Sequence, residues 1–129
     1  MMLSEDESPY GFDETIEILT QSVDDHGWTI PKTHNLQRSM AKFGHEVLPV
    51  TVIELCHPDH ANRILQEDDE RIVATLMPCR VAVYEKSDGK VYISRMNSGM
   101  LAGMMGGLIA EVMSLAAAQN EEILQPVLK

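Results

Sequence analysis

The densest group of reactive side chains is Cys56-His57-Pro58-Asp59-His60, with a second thiol at Cys79. Thiolate and imidazole bind zinc, copper or haem iron, and His57 and His60, three residues apart at a helix start, can turn both rings toward one ion. Cys56, His57 and His60 are therefore the candidate metal ligands, for a transition metal or haem. The spacing is neither Cys-x-x-Cys-His haem attachment nor a zinc finger, and no second Cys-x-x-Cys or His-x-x-x-His unit accompanies it. The same residues allow nucleophilic chemistry. The positive end of a helix and neighbouring imidazoles would lower the Cys56 thiol pKa, with His57 or His60 as base and helix-start amides as oxyanion donors. Cys79, alternating with Val81 and Val83, also suits a small core hydrophobe.

Arg80 stands in an otherwise apolar strand, where a guanidinium can anchor a carboxylate or phosphate, or pair with Glu54 or Glu85. Those two glutamates, at or inside apolar strands, are a candidate acid/base pair if they face each other. Met96, Met100, Met104, Met105 and Met113 offer soft thioethers, yet recur at helical intervals, which fits core or dimer packing. Gly99, Gly103 and Gly107 leave flat backbone for a close neighbour or a planar ligand. His26, His34 and His45 are scattered beside turn residues and are assigned no role.

The elements that must position these groups follow from patterning. Asp13 is an N-cap for a helix over about 13–26, with Ile16, Leu19 and Val23 on one face and Gly27 as its stop. Residues 28–30 read as a short strand before Pro31, and 35–43 as a brief helix turning Leu36, Met40 and Phe43 inward. Residues 47–56 are β-branched and read as a strand that ends at Cys56, after which Pro58 opens a helix carrying Ala61, Ile64 and Leu65. Arg71 to Met77, Cys79 to Lys86 and Lys90 to Met96 read as neighbouring strands, and Asp88-Gly89 between alternating valines marks an antiparallel hairpin. A single helix from about 99 to 120, with Leu101, Met105, Leu108, Val112 and Leu115 on one face, covers the sheet.

The 129 residues make one domain, and 44% apolar with 23% charged residues suits a globular core. Ten basic against twenty acidic side chains give a net charge of −10, which opposes nucleic acid and anionic membranes as partners. The segment 99–118 has the length of a bilayer span, but its glycines and Glu111 favour a buried or interface helix. Glu5, Asp6 and Glu7 stand where an export signal needs basic and apolar residues, so free thiols in a cytoplasmic protein are expected.

Three stretches resemble the domain-of-unknown-function family numbered 302: Tyr10-Gly11-Phe12-Asp13-Glu14-Thr15, Cys56-His57-Pro58 with Ala61 and Leu65, and Leu76-Met77-Pro78-Cys79-Arg80-Val81-Ala82-Val83-Tyr84-Glu85 followed by Gly89-Lys90-Val91. The resemblance spans about residues 8–112. It implies a compact α+β domain with a curved antiparallel sheet similar to that of the TATA-box-binding protein, often a homodimer, and no established reaction. His57 departs from the small polar residue more common there, as Asn97-Ser98 does from an Asp-Pro step. The combined expectation is a two-layer α+β protein, with an antiparallel sheet covered by helices and a long C-terminal helix. It is expected to bind or sense a small ligand through Cys56, His57, His60, Cys79 and Arg80, in a pocket between the sheet and the C-terminal helix. A thiol-dependent enzyme or redox protein using Cys56, or a protein interaction domain, are the alternatives.

Overall fold

The structure, a computed structural model, describes residues 2–129. Its centre is the hairpin of β4 (Cys79–Glu85) and β5 (Val91–Met96), in which Val83 faces Ile93 and Tyr84 faces Tyr92 across the ladder. Gly89 adopts φ +79, which the tight turn after Asp88 requires and which a Cβ would strain. β3 (Val50–Leu55) lies antiparallel on the other side of β4, and β2 (Thr33–Asn35) completes that edge. On the opposite edge β1 (Leu3–Ser8) pairs antiparallel with β5, which makes the strand order β1-β5-β4-β3-β2.

Alternation decides what covers the sheet. Ile53, Leu55, Val81, Val83, Val91 and Ile93 point to one face and are buried there against α1 (Phe12–Asp25) and α5 (Gly107–Leu124). Each such fully buried side chain contributes about 1.5–3 kcal/mol relative to exposure. A second cluster joins Ile64 of α3 (Pro58–Leu65), Val73, Ala102 of α4 (Ser98–Met105) and Val112 and Met113 of α5. Among the described residues, neither core cluster takes a strand side chain from the other, open sheet face. The result is a two-layer α+β arrangement, and among the described residues no helix is long and apolar enough to cross a membrane.

Several elements differ from the sequence reading. The acidic run at 5–7 hid β1, whose low strand propensity is overridden by cations on its neighbours: Lys86 with Glu5, Arg95 with Asp6, and Lys90 and Lys129 with Glu7. Residues 28–30 form only a bridge at Thr29, and the short strand lies beyond Pro31. Gly11, not Asp13, is the N-cap of α1. α2 (Leu36–Ala41) is shorter than 35–43, and Phe43 is 75% exposed rather than inward. Glu70–Leu76 winds into a 3₁₀ helix instead of a strand. The long C-terminal helix is broken between α4 and α5, because Gly106 takes φ +67, ψ −178 and Gly107 takes φ +59. α5 then runs on to Leu124, with Leu115 on its outer side.

Candidate functional site

Cys56 follows the last residue of β3 and is fastened by backbone bonds in both directions: Thr29 N–H donates to its carbonyl (2.8 Å), and its own N–H donates to Thr29 (2.9 Å). His57 then caps α3, and Pro58 occupies the first turn, where its missing N–H is no loss. Cys79 opens β4 directly across from Leu55, so β pairing brings the two cysteine regions together across a gap of twenty-odd residues.

Cys56, His57, His60 and Cys79 line one small cavity with Trp28, Met77 and Met113. Its volume of about 40 Å³ holds a single water-sized occupant and excludes a porphyrin. The His57 and His60 rings stack at 4.1 Å with 24° between their planes, and Trp28 meets both edge-on at 5.6 and 6.0 Å. Gln119 Oε1 accepts from Trp28 Nε1 at 3.2 Å and lies 2.9 Å from His60 Nε2. His57 Nδ1 is buried without a hydrogen-bond partner.

The chelate of Cys56, His57 and His60 is not assembled. Stacked rings direct their in-plane lone pairs side by side rather than toward one point, and Gln119 occupies His60 Nε2. Among the described residues, no three His, Cys, Asp or Glu side chains gather as a metal set. The thiols also depart from expectation. Burial pushes the Cys56 thiol up rather than down. Cys79 is likewise raised, by burial first and by neighbouring Cys56 as well, although the Asn120 side chain pulls it partly back. Both directions run against the lowering that the helix start suggested for Cys56.

Arg80 lies on the opposite sheet face from Cys79, as strand alternation demands. Its register partner Glu54 is already held by His34, whose Nε2 is 2.9 Å from Oε2, so a histidine assigned no role takes the place expected for Arg80. Among the described residues, Arg80 makes no salt bridge. Glu54 and Glu85 fall on opposite faces by the same alternation and do not form a facing carboxylate pair.

Arg80 does line a larger groove of about 680 Å³ that shares the Cys79 wall. Val52, Arg80 and Ala82 come to it from the open face, and Cys79, Ala117 and Asn120 from the helix side, so it curls round the ends of β4 and β5. Asn120 is 8% exposed, and its Oδ1 is buried with no partner. Beside it Arg95 donates from Nε and Nη2 to Glu121 (2.9 and 3.0 Å) and from Nη1 to Asp6 (2.6 Å). Burial alone would lower that guanidinium, and its bonds to Glu121 and Asp6 more than offset this. Asn120, Gln119 and Trp28 were missed in the sequence. The available signal was an asparagine set in the stripe Met113, Ala116, Asn120, Ile123, where an apolar residue belongs.

The methionines divide. Met113 is buried at the small cavity, whereas Met100, Met104 and Met105 of α4 are 40%, 79% and 43% exposed and are not core.

Comparison with curated proteins finds no match. Among solved structures, the chain is similar to one described as the crystal structure of uncharacterized conserved protein DUF302 from Bacillus stearothermophilus, at a TM-score of 0.86 and 24% identity over 98% of each chain. That likeness places the fold. The family model described as Domain of unknown function DUF302 matches residues 5–129, nearly the entire sequence, and the chain belongs to that family.

Proposed function

We propose that this chain is a small-ligand-binding module whose ligand occupies the groove at the ends of β4 and β5. One observation carries the reading: the groove is lined by Asn120, whose buried Oδ1 has no partner in the protein and lies one amide turn from what a ligand would offer. An acceptor left unsatisfied in the interior costs about 1–3 kcal/mol, and rotation of the Asn120 amide toward a ligand N–H or O–H in the groove would remove that penalty. Arg80 lines the same groove and, among the described residues, makes no salt bridge, which leaves its guanidinium suited to a carboxylate or phosphate. Leu76, Pro78, Met96 and Met113 add apolar lining. The volume of about 680 Å³ lies within the range of about 300–1,000 Å³ typical of ligand sites. The ligand class is therefore a small organic acid or phosphate monoester with an apolar body and a hydrogen-bond donor.

Calorimetric titration with a panel of hydroxylated and amino-substituted carboxylates and phosphate monoesters tests this. Binding is expected in the parent chain and weakened about 10- to 150-fold by Arg80→Leu, the equivalent of 1.5–3 kcal/mol for a charged hydrogen bond. Ligands that bind Arg80→Leu and Asn120→Leu as well as the parent chain would sink the proposal.

A second reading is favoured by the exposed methionines of α4, whose apolar surface suits a second copy of the chain. A Cβ added at Gly103 meets nothing within 4 Å, so Gly103→Leu fits the single chain and disturbs only a neighbour. Sedimentation should show weaker self-association, and an unaltered dimer would remove this reading.

A further inference from the structure

The sheet edge at β2 carries a surface that neither core cluster nor the groove takes up. α2 has no buried residue, and Leu36, Phe43, Val47 and Leu48, on it and in the loop after it, are all exposed. Arg38 and Lys42 stand one helical turn apart on α2 and its C-cap. Among the described residues, neither of them, nor Lys32 just before β2, makes a salt bridge. We infer that this apolar and basic patch docks a short acidic segment of another protein, in which aliphatic or aromatic residues are interspersed among Asp and Glu.

Leu36, Met40 and Phe43 follow each other at four and three residues, the spacing of a helix face that packs against something. Within this chain nothing covers that face: Met40 is half-buried and Phe43 is open to solvent. The ring is nevertheless held in place by its backbone. Phe43 and His45 N–H both donate to the Met40 carbonyl (3.0 Å each), Gly44 N–H donates to Ala41 (3.1 Å), and Gly44 takes φ +81 where the chain reverses. Gln37 Nε2 donates to the Val47 carbonyl at 3.1 Å and ties the loop back to the helix, while Asn35 Oδ1 caps it by accepting from Arg38 N–H at 2.9 Å. An aromatic anchor and an arginine on an ordered backbone bind with little ordering cost, and both residue types are favoured at the centres of interfaces.

Charge selects the occupant. Between Trp28 and Ile53 the chain carries Lys32, Arg38 and Lys42 against Glu46 alone, a local excess of positive charge in a chain of net −10. A basic segment is repelled there. A bilayer or a nucleic acid spreads negative charge over a wide area and meets the acidic remainder of the surface as well. A short acidic segment stays beside the three cations, and charges beyond about 8 Å are largely screened from it at physiological salt.

The test selects a random phage-displayed peptide library on the full-length chain at low salt, then titrates the recovered peptides, synthesised with a fluorescent label, by polarisation. The peptides are expected to be enriched in Asp and Glu with interspersed Leu, Ile or Phe, and to bind less tightly as salt rises. Phe43→Ser should weaken them about 10-fold or more, and Arg38→Gln and Lys42→Gln about 1.5- to 5-fold each. All three side chains are exposed, so parent-like melting of each variant separates a lost contact from a lost fold, and Leu48→Ser replaces any variant that melts early. Recovered peptides no more acidic than the starting library, or bound by Phe43→Ser as tightly as by the parent, would overturn the proposal. Peptides lost with Arg80→Leu but kept by Phe43→Ser would also overturn it, while leaving the groove reading intact. Phosphatidylserine vesicles that sediment with the parent and not with Phe43→Ser would assign the patch to a membrane instead, and self-association abolished by Phe43→Ser would assign it to a second copy.

Discussion

Asn120→Leu separates stability from ligand binding, and its effect can be worked from the site. The parent chain buries an amide whose oxygen has no partner, a cost of about 1–3 kcal/mol. Leucine has nearly the same shape and continues the apolar stripe of Met113, Ala116 and Ile123. The change relieves the penalty and gives up the contact to the Cys79 sulfur, which as a weak acceptor is worth at most about 0.5–1 kcal/mol. The net expectation is a ligand-free chain more stable by roughly 0.5–2 kcal/mol. For a chain of this length, about 3–5 °C per kcal/mol makes that a rise of roughly 1.5–10 °C in melting temperature. Calorimetric melting and urea titration of the purified, ligand-free variant measure it directly. Such a gain, coupled to lost binding of the organic acids, is the trade-off expected of a group retained for function. A variant destabilised by more than about 1 kcal/mol would refute the reasoning, because it would mean that Asn120 is a satisfied structural amide.

Three further outcomes follow from the geometry. Gly106→Ala forces a Cβ into a backbone region nearly exclusive to glycine, and although the space around it is open, urea denaturation should show a loss of about 1–3 kcal/mol; an unchanged midpoint would mean that the break between α4 and α5 can shift. Both thiols should alkylate with iodoacetamide at pH midpoints above that of an unperturbed cysteine, since burial disfavours their thiolates; a midpoint below it would restore the nucleophile reading. Glu5 is held below the usual carboxylate range by Tyr84 and Lys86, and Glu7 by Lys129, so both favour the folded form above the unfolded pKa of about 4.3 and lose that contribution as pH falls through the depressed values. Amide exchange in β1 should accordingly accelerate in acid before that of β4, and simultaneous acceleration of both strands would contradict it.

What could be read in the sequence was whatever rested on a local period. Val81, Val83, Val91 and Ile93 around Asp88-Gly89 announce a hairpin because alternation and turn chemistry agree. What could not be read depended on partners distant in the chain. β1 looks like a solvated acidic tail until Lys86, Arg95 and Lys129 are seen beside it. That Cys56 and Cys79 border one cavity required the register of β3 on β4, which two cysteines alone do not specify. Arg80 shows what proximity in sequence leaves out: one step from Cys79 in a strand, it faces the other way, and both border one groove only because that groove turns the strand ends. Asn120 carried a local signal, a polar residue in an apolar stripe, and was readable in principle.

Under the proposed reading, the charge layout favours a small anion over a polyanion. Of its ten basic side chains, the six at Arg63, Arg71, Lys86, Lys90, Arg95 and Lys129 are engaged in salt bridges with its own acids. That leaves Lys32, Arg38, Lys42 and Arg80, and of these four only Arg80 lines the groove. A nucleic-acid backbone is bound by many cations at once, about 6–10 phosphate contacts, each supplying part of the affinity. Here the surrounding field is set by a net charge of −10, which repels a long polyanion along its whole length. A single carboxylate or phosphate experiences the same field, yet it can still use one guanidinium at short range, where direct hydrogen bonds outweigh screened repulsion from charges more than about 8–10 Å away. Under the proposed reading, one arginine beside a mostly apolar, partly enclosed groove would select by size: it could hold one acid group and would have nothing to offer the next.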